Sequence, residues 1–336
     1  MERIAVIGAG SWGTTLGNML AKKGHRVDLW VREEEVYEQI KEERTNRTFL
    51  PGMKLTARLN PVTSFEEALR DKDIVLLVVP SHVFRGVLES VRPYISGDMS
   101  LVSATKGIEN ESLQTMSEVA EGVLGEIGER FACLAGPSFA REVFLKRPTA
   151  VTIASPNQGL AERLQGVFST EHFRVYRSQD LIGVQLCGAI KNVIAIAAGA
   201  SDGLNFGNNA RAALISRGLA EITRLGVTMG ANPMTFAGLA GMGDLVLTCT
   251  GDLSRNRTVG LKIGEGLELG EITGTMTMVA EGIRTTKSVY ELARKMNVDM
   301  PICTQVYEIL YKGKDPREAV RDLMGRALKS ELEELG

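Results

Sequence analysis

"MERIAVIGAGSWGTTLGNMLAKKG", residues 1–24, decides the fold. Residues 3–8 are a short β-branched apolar run that reads as a strand, and 12–24 read as a helix closed by Gly24. Between them Gly8, Gly10 and Gly13 stand in the G-x-G-x-x-G spacing, immediately after the strand and opening the helix. That context gives the spacing its meaning. Gly8 permits a tight turn, Gly10 lets backbone approach a pyrophosphate, and Gly13 lets the helix pack close to the sheet. The phosphates then meet free N–H groups at the helix start, those of Ser11 and Trp12 in particular.

Working outward, further strands are predicted at 26–31, 73–80, 100–107, 131–136 and 149–155, with helices between most of them. The run "DIVLLVVP" at 73–80 is almost continuously apolar, as in a strand buried on both faces. This alternation predicts an α/β fold: an N-terminal Rossmann-type, doubly wound parallel sheet. The pattern changes near residue 180. Helical periodicity then dominates, at 181–200, 208–225, 232–240, 258–267, 282–295, 302–311 and 316–326. The expected organisation is a dinucleotide-binding domain over 1–180 and an all-helical C-terminal domain over 181–336.

Composition supports a soluble globular protein. Of 336 residues, 44% are apolar and 24% charged, and the net charge of −2 offers no attraction for nucleic acid or an anionic membrane. Cys133, Cys187, Cys249 and Cys303 are scattered, which fits a reducing compartment and suggests no metal. The N-terminus lacks the features of a signal peptide. The stretch 181–200 is apolar enough to consider as a membrane span, but Gln185, Lys191 and Asn192 lie in its middle and would be costly in hydrocarbon. A buried helix and a cytoplasmic location are therefore expected. The charged tail "LKSELEELG" (328–336) is expected to fray.

Several residues suit chemistry. Arg32 follows the second strand, where an arginine fits a 2′-phosphate and favours NADP over NAD; Glu33 at the strand end would argue the reverse. Lys106, in "SATKG", falls just past a strand end, where open α/β sheets bind ligands. "AGPSFARE" sets Gly136, Pro137 and Ser138 in a turn before a helix. "AGMGDL" sets Asp244 after a glycine turn, and "LSRNRT" offers Ser254, Arg255, Asn256 and Arg257. Asp244 and Ser138 could equally be helix caps, and the basic loop could simply be exposed. Lys191 has Gly188, Ile194, Cys187, Ala195, Val184 and Ala198 as its helical neighbours, none of them charged. Either its ammonium snorkels to water, or it serves as an acid–base group in a site. His82 also follows a strand, and ranks below Lys191 as a proton donor.

Together "GAGSWGT", "VVPSHVF", "ATKG", "GPSFA", "GVQLCGAIKNVIAIAAG", "NARAALISRGLAE", "GDLVLTCT", "SRNR", "EG" and "MPI" make the chain resemble the bacterial NAD(P)-dependent sn-glycerol-3-phosphate dehydrogenases over nearly its whole length. The resemblance implies reduction of dihydroxyacetone phosphate to sn-glycerol 3-phosphate with NADPH or NADH, a product that feeds phospholipid synthesis, and a site between the two domains. It implies that Lys191 is the catalytic lysine and also touches substrate. Substrate contacts are implied at Lys106, Gly136, Ser138, Asp244, Ser254, Arg255 and Asn256. Cofactor contacts are implied at Ser11, Trp12, Arg32, Lys106, Ala140, Arg255, Val279 and Glu281, beside the glycines of the loop. Trp12 stands where other members carry tyrosine or phenylalanine, and some carry histidine at the place of Arg32. A homodimer is expected from the likeness alone, with a small phosphorylated molecule as the partner and neither nucleic acid nor membrane. Two rivals remain: a two-domain dehydrogenase acting on another 2- or 3-hydroxy acid, and a nicotinamide-binding sensor without turnover.

Overall fold

Strand β1 (Arg3–Ile7) is the axis on which the N-terminal half assembles. In the computed structural model, which describes residues 1–276, 280–328 and 330–331, it pairs in parallel with β2 (Arg26–Trp30) on one side. The short strands β3 (Thr45–Asn46) and β4 (Leu50–Lys54) form a separate hairpin, and β5 (Leu59–Val62) pairs with β2. On the other side of β1 lie β6 (Ile74–Leu77), β7 (Ser100–Ser103), β8 (Phe131–Ala135), β9 (Thr149–Ala154) and β10 (Phe173–Ser178). The eight-stranded order is β10-β9-β8-β7-β6-β1-β2-β5.

One pairing departs from the parallel expectation: β9 runs antiparallel to β8. The link between them, residues 136–148, carries only a five-residue helix, Ala140–Phe144. A parallel return usually runs through a longer crossover helix that packs across the sheet. The strands are also shorter than the apolar runs that announce them. In 73–80 only Ile74–Leu77 forms ladder.

The sheet is buried on both faces because alternate residues of its central strands feed opposite cores. Ile4, Val6 and Leu76 join one cluster, with Leu16 and Leu20 of helix Ser11–Lys23. Ala5, Ile7, Val75 and Leu77 join the other, with Phe84 and Leu88 of helix Phe84–Val91. All eleven of these side chains are fully buried or nearly so, and burying a Leu, Ile, Val or Phe side chain contributes roughly 1.5–3 kcal/mol.

The chain divides into two compact units: Met1–Thr105 with Met116–Leu181, and Lys106–Thr115 with Ile182–Gly336. Among its described residues the second unit is helical. Its longest element is Leu181–Gly203, 23 residues. The helix is long and apolar enough to cross a membrane, yet 83% of that stretch is buried inside the protein. Helices Gly207–Thr228, Pro233–Phe236, Asp244–Thr250, Arg255–Gly264, Leu269–Gly274, Glu281–Lys295, Pro301–Lys312 and Pro316–Met324 follow. The helix expected over 232–240 stops at Phe236, and a π-turn at Leu239–Gly243, rich in glycine, takes over. Such turns are uncommon and gather at functional sites.

Two helices of this unit meet backbone to backbone. A Cβ at Gly199 would lie 2.0 Å from the Arg257 carbonyl oxygen, and one at Gly203 2.2 Å from that of Leu261. Reciprocally, a Cβ at Gly260 would lie 2.0 Å from the Ile196 oxygen and one at Gly264 2.3 Å from that of Ala200. Small residues four apart on both helices make this approach possible, as in other closely crossing helix pairs. Elsewhere in the unit the buried carboxylate of Glu221 accepts the backbone N–H groups of Ile302 (2.6 Å) and Cys303 (3.1 Å), at the start of helix Pro301–Lys312. Burial pushes the Glu221 carboxyl up to about 7, against the pull of those two N–H groups.

Candidate active site

The glycine loop of the first unit has the shape its spacing foretells. Gly8 adopts φ +116°, a conformation open to glycine, and a Cβ there would lie 2.4 Å from the Val78 carbonyl oxygen. A Cβ at Gly13 would lie 2.0 Å from the Gly8 oxygen, whereas one at Gly10 would have nothing within 4 Å. Gly10 is the N-cap of helix Ser11–Lys23 and has no side chain to occupy the first N–H groups of Ser11 and Trp12. This is a cradle that added side chains would fill, and its free donors suit a dinucleotide pyrophosphate. Trp12 packs against the core, its ring 6.4 Å from that of Phe173. Arg32 is exposed two residues beyond β2, and its guanidinium bonds Glu33, which is the N-cap of the next helix.

Beyond β8, Gly136 takes φ +141°, and a Cβ there would lie 2.9 Å from Val151 Cα. Ser138 is not the helix cap: that place belongs to Phe139, and the Ser138 hydroxyl donates to the Gly136 carbonyl at 3.0 Å. Ala140 opens the helix, and its carbonyl accepts from Thr15 Oγ1 at 3.3 Å. His82 lies exposed in a short turn after β6.

In the second unit three predicted residues converge. Asp244 begins the helix that follows the π-turn, and is 1% exposed. Its Oδ1 accepts from Lys191 Nζ at 2.7 Å, and its Oδ2 from Lys106 Nζ at 2.9 Å. The carboxylate is therefore engaged by two lysines and does not cap its helix. Lys191, 6% exposed at the middle of the long helix, also donates to Thr248 Oγ1 at 2.7 Å. That hydroxyl in turn donates to the Asp244 carbonyl at 2.6 Å. An ammonium has three N–H donors, so this arrangement leaves Lys191 one. Thr248 went unmarked in the sequence; the signal for it is Asp244 and Thr248 four apart, on one helix face.

The electrostatics follow from burial and the alternation of charge. Burial pushes Lys191 down, Asp244 opposes this, and Lys106 adds to the push; the net is a fall to about 8. Burial would raise Asp244, but the Lys106 and Lys191 ammoniums outweigh it and hold the carboxyl below its usual range. Cys249, on the same helix, is inert by contrast: burial pushes its thiol up to about 12.

The "SRNR" turn is ordered by capping. Ser254 accepts the Arg257 N–H as N-cap of helix Arg255–Gly264. Asn256 is buried, and its Oδ1 accepts the Gly282 N–H at 2.9 Å, which fixes the start of helix Glu281–Lys295 beside Glu281. Arg255 is exposed, and among the described residues its guanidinium makes no hydrogen bond or ion pair. Arg257 holds Asp202 of the long helix, Nε–Oδ2 2.9 Å. Val279 lies outside the described residues, as do Lys329 and 332–336 of the charged tail. Among the described residues, no three His, Cys, Asp or Glu side chains gather as a metal site.

Comparison with known proteins agrees over the whole chain. The family description "NAD-dependent glycerol-3-phosphate dehydrogenase N-terminus" matches residues 3–161, and its C-terminus counterpart matches 180–321. The glycerol-3-phosphate dehydrogenase [NAD(P)+] of Citrifermentans bemidjiense is 58% identical over 331 residues, covering 98% of this chain and 99% of its own. Among solved structures, the glycerol-3-phosphate dehydrogenase of Coxiella burnetii is 41% identical with a TM-score of 0.93, covering 97% of this chain and 99% of its own. That of Saccharomyces cerevisiae is 28% identical with a TM-score of 0.83, with the same coverage.

Proposed function

The chain belongs to the NAD-dependent glycerol-3-phosphate dehydrogenase family, and from that premise we propose that it reduces dihydroxyacetone phosphate to sn-glycerol 3-phosphate, reversibly, with NADPH or NADH. A nicotinamide nucleotide held at the Gly8–Gly13 loop would supply or remove the hydride at substrate C2. The protein's own task is to hold the carbonyl and move a proton. One observation carries the assignment: a buried lysine at about 8, fixed through two of its N–H groups by Asp244 and Thr248. The third N–H protonates the substrate oxygen as the carbonyl is reduced; in the reverse direction the neutral amine takes that proton back. A proton donor is most useful when its pKa lies near the working pH.

The remaining residues take roles consistent with their places. Arg255, exposed and without a partner among the described residues, reaches the substrate phosphate through its paired donors. Asn256 and Ser254 hold the turn that presents it. Lys106 shares Asp244 with Lys191 and contacts substrate and cofactor. Gly136 and Ser138 contact substrate, and Ala140, Glu281, Ser11 and Trp12 contact cofactor. Arg32 faces a 2′-phosphate, which slightly favours NADPH. The two units serve as cofactor and substrate domains of a cytoplasmic homodimer whose product supplies phospholipid synthesis; neither nucleic acid nor membrane is a partner.

The test is direct. Purified protein with dihydroxyacetone phosphate should bleach the reduced-nicotinamide absorbance, and Lys191→Ala should bind cofactor but lose turnover. No bleaching with either cofactor defeats the reaction. An unchanged Michaelis constant for dihydroxyacetone phosphate in Arg255→Ala defeats the substrate and returns the chain to the hydroxy-acid dehydrogenases of similar build.

A further inference from the structure

We infer that Asn46, carried by the β3–β4 hairpin, is a positioning residue for the cofactor: its side-chain amide pins the Ala9 carbonyl and thereby sets the direction of the Gly10 N–H. The inference rests on the reading of the glycine loop as the nucleotide cradle.

Asn46 is 0% exposed. Its Nδ2 donates to the Ala9 carbonyl at 2.9 Å and to Thr14 Oγ1 at 2.9 Å. Thr14, also 0% exposed, passes the contact on, because its hydroxyl donates to the same Ala9 oxygen at 3.0 Å. The Asn46 Oδ1 accepts the Phe49 N–H at 3.0 Å, which locks the amide's orientation inside its own turn. Each N–H of the amide and its oxygen therefore have partners.

The peptide joining Ala9 to Gly10 is trans, as all described peptide bonds are. In a trans peptide the C=O and N–H point in opposite directions. Two donors on the Ala9 oxygen thus turn the Gly10 N–H away from the Asn46–Thr14 pair. A peptide flanking glycine would otherwise rotate cheaply. The pin matters for binding because a donor already aimed at an anion needs no reordering when the anion arrives. It also explains the hairpin. β3 is two residues long and pairs with no strand of the main sheet, yet it carries Asn46 to the loop.

The test measures nucleotide affinity directly, without substrate. Asn46→Leu and Thr14→Val each remove a donor to the Ala9 oxygen; Thr14→Ser keeps it. Titration of NADH and of ADP-ribose should give dissociation constants about tenfold or more weaker in the first two variants and within about twofold of the parent in the third. At saturating cofactor, kcat and the Michaelis constant for dihydroxyacetone phosphate should stay within about threefold of the parent, a split that a general loss of folded protein would not give. A folded Asn46→Leu or Thr14→Val that binds NADH within twofold of the parent overturns the inference. If Asn46→Leu does not fold, the Thr14 pair decides alone. A parent protein that binds neither nucleotide instead defeats the reading of the cradle.

Discussion

Replacing Asp244 with asparagine tests the proton donor most sharply. The substitution keeps the size of the side chain and removes the one negative charge between two ammoniums, 2.7 Å from Lys191 and 2.9 Å from Lys106. With an effective dielectric of about 20 and charges about 4 Å apart, that charge is worth on the order of 4 kcal/mol to the Lys191 ammonium, or about 3 pH units. Lys191 should then fall from about 8 to about 5. Reduction of the carbonyl requires the ammonium, so activity is present below the Lys191 value and lost as pH rises through it. The basic limb of the pH profile for reduction should therefore move from about 8 to about 5, and activity at neutral pH should drop about 100-fold while recovering in acid. Oxidation of the alcohol uses the neutral amine, and its acid limb should move down by the same amount. The assay is steady-state rate against pH in both directions, at saturating cofactor. A variant whose rate falls equally at every pH, with its limbs unmoved, refutes the reasoning: Asp244 would then only hold geometry, and Lys191 would not be the titrating group.

Other outcomes are fixed by the same structure. Gly199→Ala places a methyl 2.0 Å from the Arg257 carbonyl and should destabilise by about 1–3 kcal/mol or more, read as a lower melting temperature; it should also raise the Michaelis constant for dihydroxyacetone phosphate by displacing the Arg255 turn. Glu221, held at about 7 against an ordinary 4.5, keeps its proton in the folded state through that window and loses it earlier when unfolded. Its contribution to stability thus declines as pH rises between those values. Glu221→Gln keeps one acceptor but turns an NH2 toward the other backbone N–H, so it should melt below the parent near pH 4.5, and the gap should close by up to about 3 kcal/mol on going to pH 8. Arg32→Ala should weaken NADPH more than NADH, measured by competing the two; equal loss would place Arg32 outside the 2′-phosphate site.

The glycine loop and the central strands were legible because each is a local signal: β1 and β6 are short apolar runs rich in Ile and Val, β2 alternates buried Val27 and Leu29 with more exposed residues, and three glycines at fixed spacing have few structural uses. Four strands were missed: the short hairpin β3–β4, and in the main sheet β5 and β10, which are its two edges. β5 reads Leu-Asn-Pro-Val, with a proline that only an edge tolerates well. β10 alternates buried and exposed residues and so lacks the apolar run that marks an interior strand. The candidate residues stood out one by one, and only the family resemblance grouped them. Lys106 and Asp244 are 138 positions apart, and nothing local says that they meet. Asp244 and Ser138 read equally well as caps; the reading fails for Ser138 because Phe139 holds that place, and for Asp244 because two lysines claim its oxygens. Thr248 carries no intrinsic charge signal and becomes visible only once Lys191 has a direction.

The ten residues Lys106–Thr115 leave the first unit and rejoin it at Met116, so the polypeptide passes between the units three times. The excursion is tethered by Ser288, whose hydroxyl donates to the Ile108 carbonyl at 3.0 Å. Splitting the gene after residue 181 would not yield two self-sufficient fragments. The first would carry a strap whose anchor is encoded 180 residues downstream, and the second would lack one of the two cations around its central carboxylate. During synthesis, too, the strap must wait on the ribosome until the anchoring helix emerges, so Lys106 reaches its place late and its cluster with Asp244 and Lys191 is completed only near the end of translation.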